Sequence, residues 1–213
     1  MMWPPCQGLP YFAVVRALLD RCHNLDEGLD VLAGIPIAWC TNFILADRSG
    51  EAALAEVAGE ERAVTRIGAG SSRQYLCATN HFTALGLQAY SRNRRRESVV
   101  RQKVIEDRLG RQGSTVSKES IRGLLSSPVP EGVAMQHYSS GLGTIWSMIF
   151  DVTAGTVDVC FGGPSSPRNR WRTFGLHDNA GATNYPAVLP NQPAPPGLWV
   201  RMPPQDDRAS DGR

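Results

Sequence analysis

The chain has 213 residues, 42% of them hydrophobic and 20% charged, the profile of a globular protein of one domain or two small ones, which excludes disorder as the whole account. Lys and Arg number 22 against 20 Asp and Glu, a formal net charge of +2. That balance excludes recognition of nucleic acid or a membrane surface through overall charge and leaves only a local patch to consider. No apolar run reaches the roughly 18–20 residues of a membrane span, and the opening MMWPPCQGLP has neither the basic flank nor the apolar stretch of a signal peptide. A cytoplasmic protein with no membrane partner is the expectation.

In chain order, YFAVVRALLDRC (11–22) places Phe12, Val15, Leu19 and Cys22 on one face of an amphipathic helix. Asn24 is suited to cap a second helix over about 25–33, because its side-chain oxygen can accept a backbone N–H one turn on, with Glu27 at the third position; Gly34 before Pro36 ends it. TNFILAD, the turn Arg48-Ser49-Gly50 and EAALAEVA predict a hairpin near 41–58, with Gly50 supplying a positive φ. RAVTRI (62–67) and QYLCATN (74–80) predict two more strands across the Gly/Ser-rich IGAGSS. Helical spacing returns at Val100, Val104, Ile105 and Leu109, and Ser117 caps a shorter helix to about Ser126. TIWSMIFDVT (144–153) and TVDVCFGG (156–163) form the strongest strand pair, and the apolar character of both alternating sets predicts a first strand buried on both faces. Beyond about 177 periodicity is lost, and seven of the 15 prolines fall between Pro186 and Pro204. Residues 177–213 therefore read as a disordered tail, with too little apolar surface to offset ordering.

Several groups have the residue types chemistry requires. Asn80, in ATNHF (78–82) at a predicted strand end, can aim amide N–H bonds at an oxygen that becomes negative in a tetrahedral intermediate, or can simply cap a turn beside His81. Arg92, Arg94, Arg95, Arg96, Arg101 and Lys103 form a basic cluster; an Arg there can hold a carboxylate or support an anionic nucleophile, and the group can track phosphates. Without interleaved aromatics, and with Glu97, Glu106 and Asp107 among them, a solvated helix start is the plainer reading, and no nucleic-acid partner is expected. Cys40, in WCTN, has the look of an activated thiol but begins an apolar strand, where a buried packing role is expected. The other cysteines, Cys6, Cys22, Cys77 and Cys160, form no CxxC pair, so reduced thiols are expected. Asp47, Glu56, Asp151 and Asp158 stand isolated, and the four histidines show no ligand spacing; neither a metal nor a cofactor is expected.

Taken in order, GLPYFAVVRALLDRCHNLDEGLDVLAGIPIAWCTNFILADRSGEAALAEV, LCATNHF, ESVVRQKVIEDRL and TIWSMIFDVTAGTVDVCFGGP resemble the acyl-CoA:6-aminopenicillanic-acid acyltransferase family over residues 8–176. These are cysteine hydrolases of the N-terminal-nucleophile (Ntn) superfamily. The resemblance implies an α+β fold, the αββα sandwich, and a Cys that attacks an amide or thioester carbonyl with its own α-amino group as base. It makes Asn80 the oxyanion donor and Arg101, of the S-x-x-R helix starting at Ser98, the residue supporting the thiolate, with Arg94 as second choice; Asn42 and Asp47 fall in the hairpin motif with a structural role. In the family the nucleophile and its preceding Gly lie upstream of the first helix. This chain starts at about that helix, with Pro5 before Cys6, so the expectation is a partial sandwich lacking its N-terminal part. The domains expected are an irregular 1–7, a partial Ntn domain 8–176 and the tail 177–213. Its substrate would be a small amide or an acyl-CoA-type thioester, its partner a missing N-terminal segment, and the chain alone would be inactive. The competing expectations are a self-contained thiol enzyme using Cys6 or Cys40, and an inactive remnant or binding module using the Arg92–Lys103 cluster.

Overall fold

A computed structural model describes residues 7–91, 94–112, 116–178 and 182–203. Its elements are helices and antiparallel sheets, an α+β fold, and the chain divides into two compact units: residues up to Val99 together with those from Val200 onward, and Val100–Trp199.

The first unit opens with α1 (Tyr11–Arg21) and α2 (Leu25–Gly34). Asn24 caps α2 as its position predicts, its Oδ1 accepting the Glu27 N–H at 2.9 Å, while the Glu27 carboxylate accepts the His23 N–H at 2.8 Å. The far end of α2 is satisfied from a distance in sequence: the Arg62 guanidinium donates to Ala33 O and, at 2.8 Å, to Ile35 O, placing a cation at the negative end of the helix. Strands β1 (Thr41–Ala46), β2 (Ala52–Ala58) and β3 (Glu61–Ile67) form an antiparallel sheet in the order β1-β2-β3, with Phe43 opposite Ala55 and Glu56 opposite Ala63. The first turn has Gly50 at φ +88°, as the hairpin requires. Asp47 ties that turn to α2: its carboxylate accepts the Leu25 N–H at 2.9 Å and the Ser49 N–H at 2.8 Å.

The core of this unit is Val14, Leu32, Ile37, Phe43, Ala55 and Val57, with Leu18, Ile35 and Leu45 packed against it. The helix at 11–21 is where the spacing predicts, but its buried face is not. Val14 is fully buried, whereas Phe12 is 61% and Leu19 76% exposed. The run FAVVRALL is apolar on more than one side, so periodicity admits two faces, and the sheet takes the one carrying Val14 and Leu18. The segment 74–80 differs too, being no strand. Near its end the backbone polar groups are taken by side chains of other elements rather than by a ladder, as described below.

In the second unit, α3 (Arg96–Gln112) continues from the first, and α4 (Lys118–Ser126) follows, with the Ser117 Oγ accepting the Ser120 N–H at 3.1 Å. A short pair, β4 (Gln136–His137) and β5 (Leu142–Gly143), precedes the antiparallel sheet β6 (Trp146–Asp151), β7 (Thr156–Phe161) and β8 (Trp171–Gly175), in the order β6-β7-β8. β6 is not buried on both faces: Trp146 is 55% and Phe150 68% exposed. It is an edge strand, and α4 packs against this sheet on the side of Asp158, the residue Arg122 and Lys118 reach, opposite to Trp146 and Phe150. The third strand, WRTFG, was not apparent from the sequence because Arg172 and Thr173 interrupt its apolar alternation.

Residues 182–203 have no regular strand or helix and make specific contacts. In the second unit buried Asn169 accepts the Val188 N–H at 2.8 Å and donates to Val188 O at 2.7 Å, Tyr185 stacks on Phe161 at 4.9 Å, and the Gln192 N–H donates to Gln136 O at 2.6 Å. In the first, the Arg96 N–H donates to Val200 O at 2.9 Å and the Met202 N–H to Arg94 O at 2.7 Å. Composition reports apolar burial, and this segment is held by side-chain amides and backbone hydrogen bonds instead.

Candidate functional site

The T-N-H turn, Thr79-Asn80-His81, lies in the first unit and is gripped from two elements. From β1, the Asn42 Nδ2 donates to Thr79 O and to His81 O, each at 3.0 Å, so one amide spans the turn on both sides of Asn80. From α3, the Ser98 Oγ accepts the Asn80 backbone N–H at 2.9 Å and lies 2.7 Å from His81 Nδ1 and 3.0 Å from Thr79 Oγ1, and Thr79 Oγ1 donates to Ser98 O at 3.1 Å. Ser98 is completely buried and His81 nearly so. Immediately downstream, the Glu56 carboxylate, buried on β2, accepts the Thr83 N–H at 2.5 Å and the Ala84 N–H at 2.9 Å. Below it Ala58, Phe82 and Leu87 form a small apolar cluster against which Tyr90 packs. The turn is thus fixed from a sheet and a helix by Asn42 and Ser98, and the residues after it by Glu56, the condition for a preorganised donor.

A family model for acyl-coenzyme A:6-aminopenicillanic acid acyl-transferase matches residues 4–166. The chain belongs to that family. No curated protein matches it. An acyltransferase or hydrolase activity is what the family carries, and the N-x-x-L-A-D hairpin, T-N-H and S-x-x-R all lie inside the matched span.

Of the site residues the family resemblance implies, the fold brings Asn80 onto the serine of S-x-x-R. Arg101 follows Ser98 by one turn of α3, in the second unit, and is half-buried. Arg94 is drawn toward the chain's end, its guanidinium donating to Pro203 O. In the basic cluster Arg95, Arg96 and Lys103 are exposed, as a solvated helix start implies, while the backbone of Arg94–Arg96 pairs with 200–202, Arg95 bridging to Arg201. Arg92 and Cys6 lie outside the described residues.

Four cysteines are described, Cys22, Cys40, Cys77 and Cys160. Cys77 and Cys160 are buried, as expected, but Cys40 is exposed, because it precedes β1 instead of sitting within its buried alternation. Burial pushes the Cys160 thiol up, and burial together with the Glu27 carboxylate does the same at Cys22, the opposite of what activates a nucleophile.

Sequence reasoning did not find the parts that hold the turn. Glu56 was set aside as isolated; its signal is a lone carboxylate in an otherwise apolar strand, where burial without a partner is too costly to persist. Ser98 entered only as a motif letter, and its pairing with His81 has no sequence signal, since 17 residues separate them.

Proposed function

We propose that this chain carries the oxyanion-binding side of a cysteine acyltransferase or amidohydrolase of the Ntn type, acting on an amide or on an acyl-thioester such as an acyl-CoA. Asn80 donates its side-chain N–H to the carbonyl oxygen as it becomes negative. Arg101 supports the anionic form of the attacking sulfur, with Arg94 as the second choice. The observation that carries this reading is the clamped T-N-H turn. A donor whose backbone is held by Asn42 and Ser98 needs little reorganisation when charge develops, which is where such a group lowers a barrier most.

The sulfur attacks the carbonyl carbon and the C=O electron pair moves to oxygen. Collapse of the tetrahedral species expels the amine with a proton from the nucleophile's own ammonium, or expels the CoA thiolate. Water or an acceptor amine then takes the acyl group from sulfur. The raised thiols of Cys22 and Cys160 and the burial of Cys77 favour a sulfur supplied by a segment outside this set, which would also complete the sandwich around residues 8–176. The experiment is to join or co-express the chain with a segment that begins at a Gly-Cys cleavage point and to follow CoA release from acyl-CoA and amine release from acyl-amides. Asn80→Ala is expected to lower turnover by about 10²–10³. An Asn80→Ala protein at full rate overturns the assignment.

One observation favours a second reading: Cys40 is exposed and stands two residues before the Asn42 that grips the turn. A self-contained enzyme using Cys40 predicts a new N-terminus at that residue by intact mass, and an unprocessed 213-residue chain rules that version out.

A further inference from the structure

We infer that Ser98, with Thr79 and His81, is the positioning device of the T-N-H turn: a closed hydroxyl–imidazole knot that fixes the direction in which Asn80 presents its amide. Its value to catalysis rests on the oxyanion reading above; its existence does not.

Proton counting gives the knot an arrangement in which each hydroxyl proton is used once. The Thr79 hydroxyl has a single proton, which goes to Ser98 O at 3.1 Å. The Ser98 hydroxyl likewise has one, which goes to Thr79 Oγ1 at 3.0 Å. The Ser98 oxygen then has two lone-pair directions for incoming donors, and two point at it: the Asn80 backbone N–H at 2.9 Å and His81 Nδ1 at 2.7 Å. With both hydroxyl protons so placed, Nδ1 carries the ring proton, 3.0 Å from Thr79 Oγ1 as well, and the imidazole is assigned as the Nδ1–H tautomer. Each residue of the turn is thereby bonded to one serine, Thr79 by its hydroxyl, Asn80 by its backbone and His81 by its ring.

That serine cannot drift. It is the third residue of α3, fully buried, with its N–H bonded to Arg95 O at 3.0 Å. Its burial also decides its role: a hydroxyl with no exposed surface, already accepting two bonds, is not placed to attack a substrate, so the Ser98–His81 pair positions rather than reacts. The Asn80 side chain branches from the residue whose backbone N–H Ser98 holds, and its neighbours' carbonyls are held by Asn42. A small rotation of this peptide would swing the amide away from a developing oxyanion, and such misplacement is what costs rate at a distance.

The test uses the 213-residue chain and needs no activity. In wild type the Asn80 amide is expected to exchange with solvent slowly, and the ¹⁵N shifts of the His81 ring are expected to show the Nδ1–H pattern. Ser98→Ala should speed Asn80 exchange by about tenfold or more, matching loss of about one hydrogen bond, while the β1–β2 amides keep their protection; His81 should lose its tautomer preference. Thr79→Val should loosen the same amide, and Thr79→Ser should restore it. Unchanged Asn80 exchange in Ser98→Ala overturns the proposal, as does a His81 ring protonated on Nε2 in wild type. Exchange that rises equally across β1–β3, or unfolding of both Ser98→Ala and Thr79→Val, overturns it as well, since the residues would then serve general packing. In the reconstituted enzyme, Ser98→Ala should lower kcat with KM little changed and add nothing to Asn80→Ala. If Asn80→Ala is harmless there while Asn80 exchange responds to Ser98, the oxyanion reading fails and the knot stands.

Discussion

Asn42 and Glu56 sit on adjacent strands and do the same kind of work, each satisfying backbone groups of one irregular segment that has no ladder partner. Removing the Asn42 amide leaves Thr79 O and His81 O without that donor. The Asn42 Oδ1 is itself buried with no hydrogen-bond partner, a cost that truncation relieves. Asn42→Ala is therefore expected to destabilise by only about 1–2 kcal/mol in urea unfolding, less than two ordinary buried bonds would imply. Glu56 accepts two backbone N–H groups and the Thr83 hydroxyl, and has no such offset. Glu56→Ala should cost more, about 3 kcal/mol or above, because two backbone donors lose a charged acceptor. Equal costs for the two variants would show that the unsatisfied oxygen of Asn42 has no energetic consequence.

At the scale of elements, α4 is fastened to its sheet by one buried carboxylate. Asp158 on β7 is 1% exposed and accepts from Thr173 Oγ1 at 2.6 Å and Arg122 Nη2 at 2.6 Å, with Lys118 Nζ at 3.5 Å. The Thr173 hydroxyl above all, then the Arg122 bond and the charges of Lys118 and Arg122, hold its carboxyl below the usual range against the opposing effect of burial. A pKa lower in the folded than in the unfolded chain gives stability that is complete above the ordinary carboxylate value and is lost as pH falls through the folded one. Asp158→Asn should thus be less stable than wild type at pH 7 by about 2–4 kcal/mol, with the gap closing below about pH 4 as the native carboxylate protonates. Urea midpoints at the two pH values decide it, and a gap that widens in acid contradicts the pairing. Asp47, lowered chiefly by the Ser49 hydroxyl and by the Leu25 and Ser49 N–H groups, leaves a residual acid slope in the variant.

For the whole molecule the outstanding feature is apolar surface on both units. Phe12, Val15 and Leu19 line an exposed side of α1, and Trp146, Met148 and Phe150 an open side of β6. Surface of that kind promotes association, and on an edge strand it invites pairing with another strand. The 213-residue chain should show concentration-dependent association by sedimentation velocity, and Leu19→Lys with Phe150→Lys should reduce it; a monomer across the range would mean that these patches are too small to matter. Among the described residues no helix is long and apolar enough to cross a membrane. The sequence by itself determined α1–α4, the strands β1–β3, β6 and β7, the caps at Asn24 and Ser117, the Gly50 turn and the family, because these rest on local periodicity, capping chemistry and motif order, all of which act within a few residues. Which face of α1 is buried, the exposure of β6, the holding of 182–203 and the convergence of Asn42 and Ser98 on one turn were decided only by tertiary structure. Each depends on what lies opposite a residue, and at the turn that partner stands 17 to 39 positions away along the chain, beyond the reach of any local pattern.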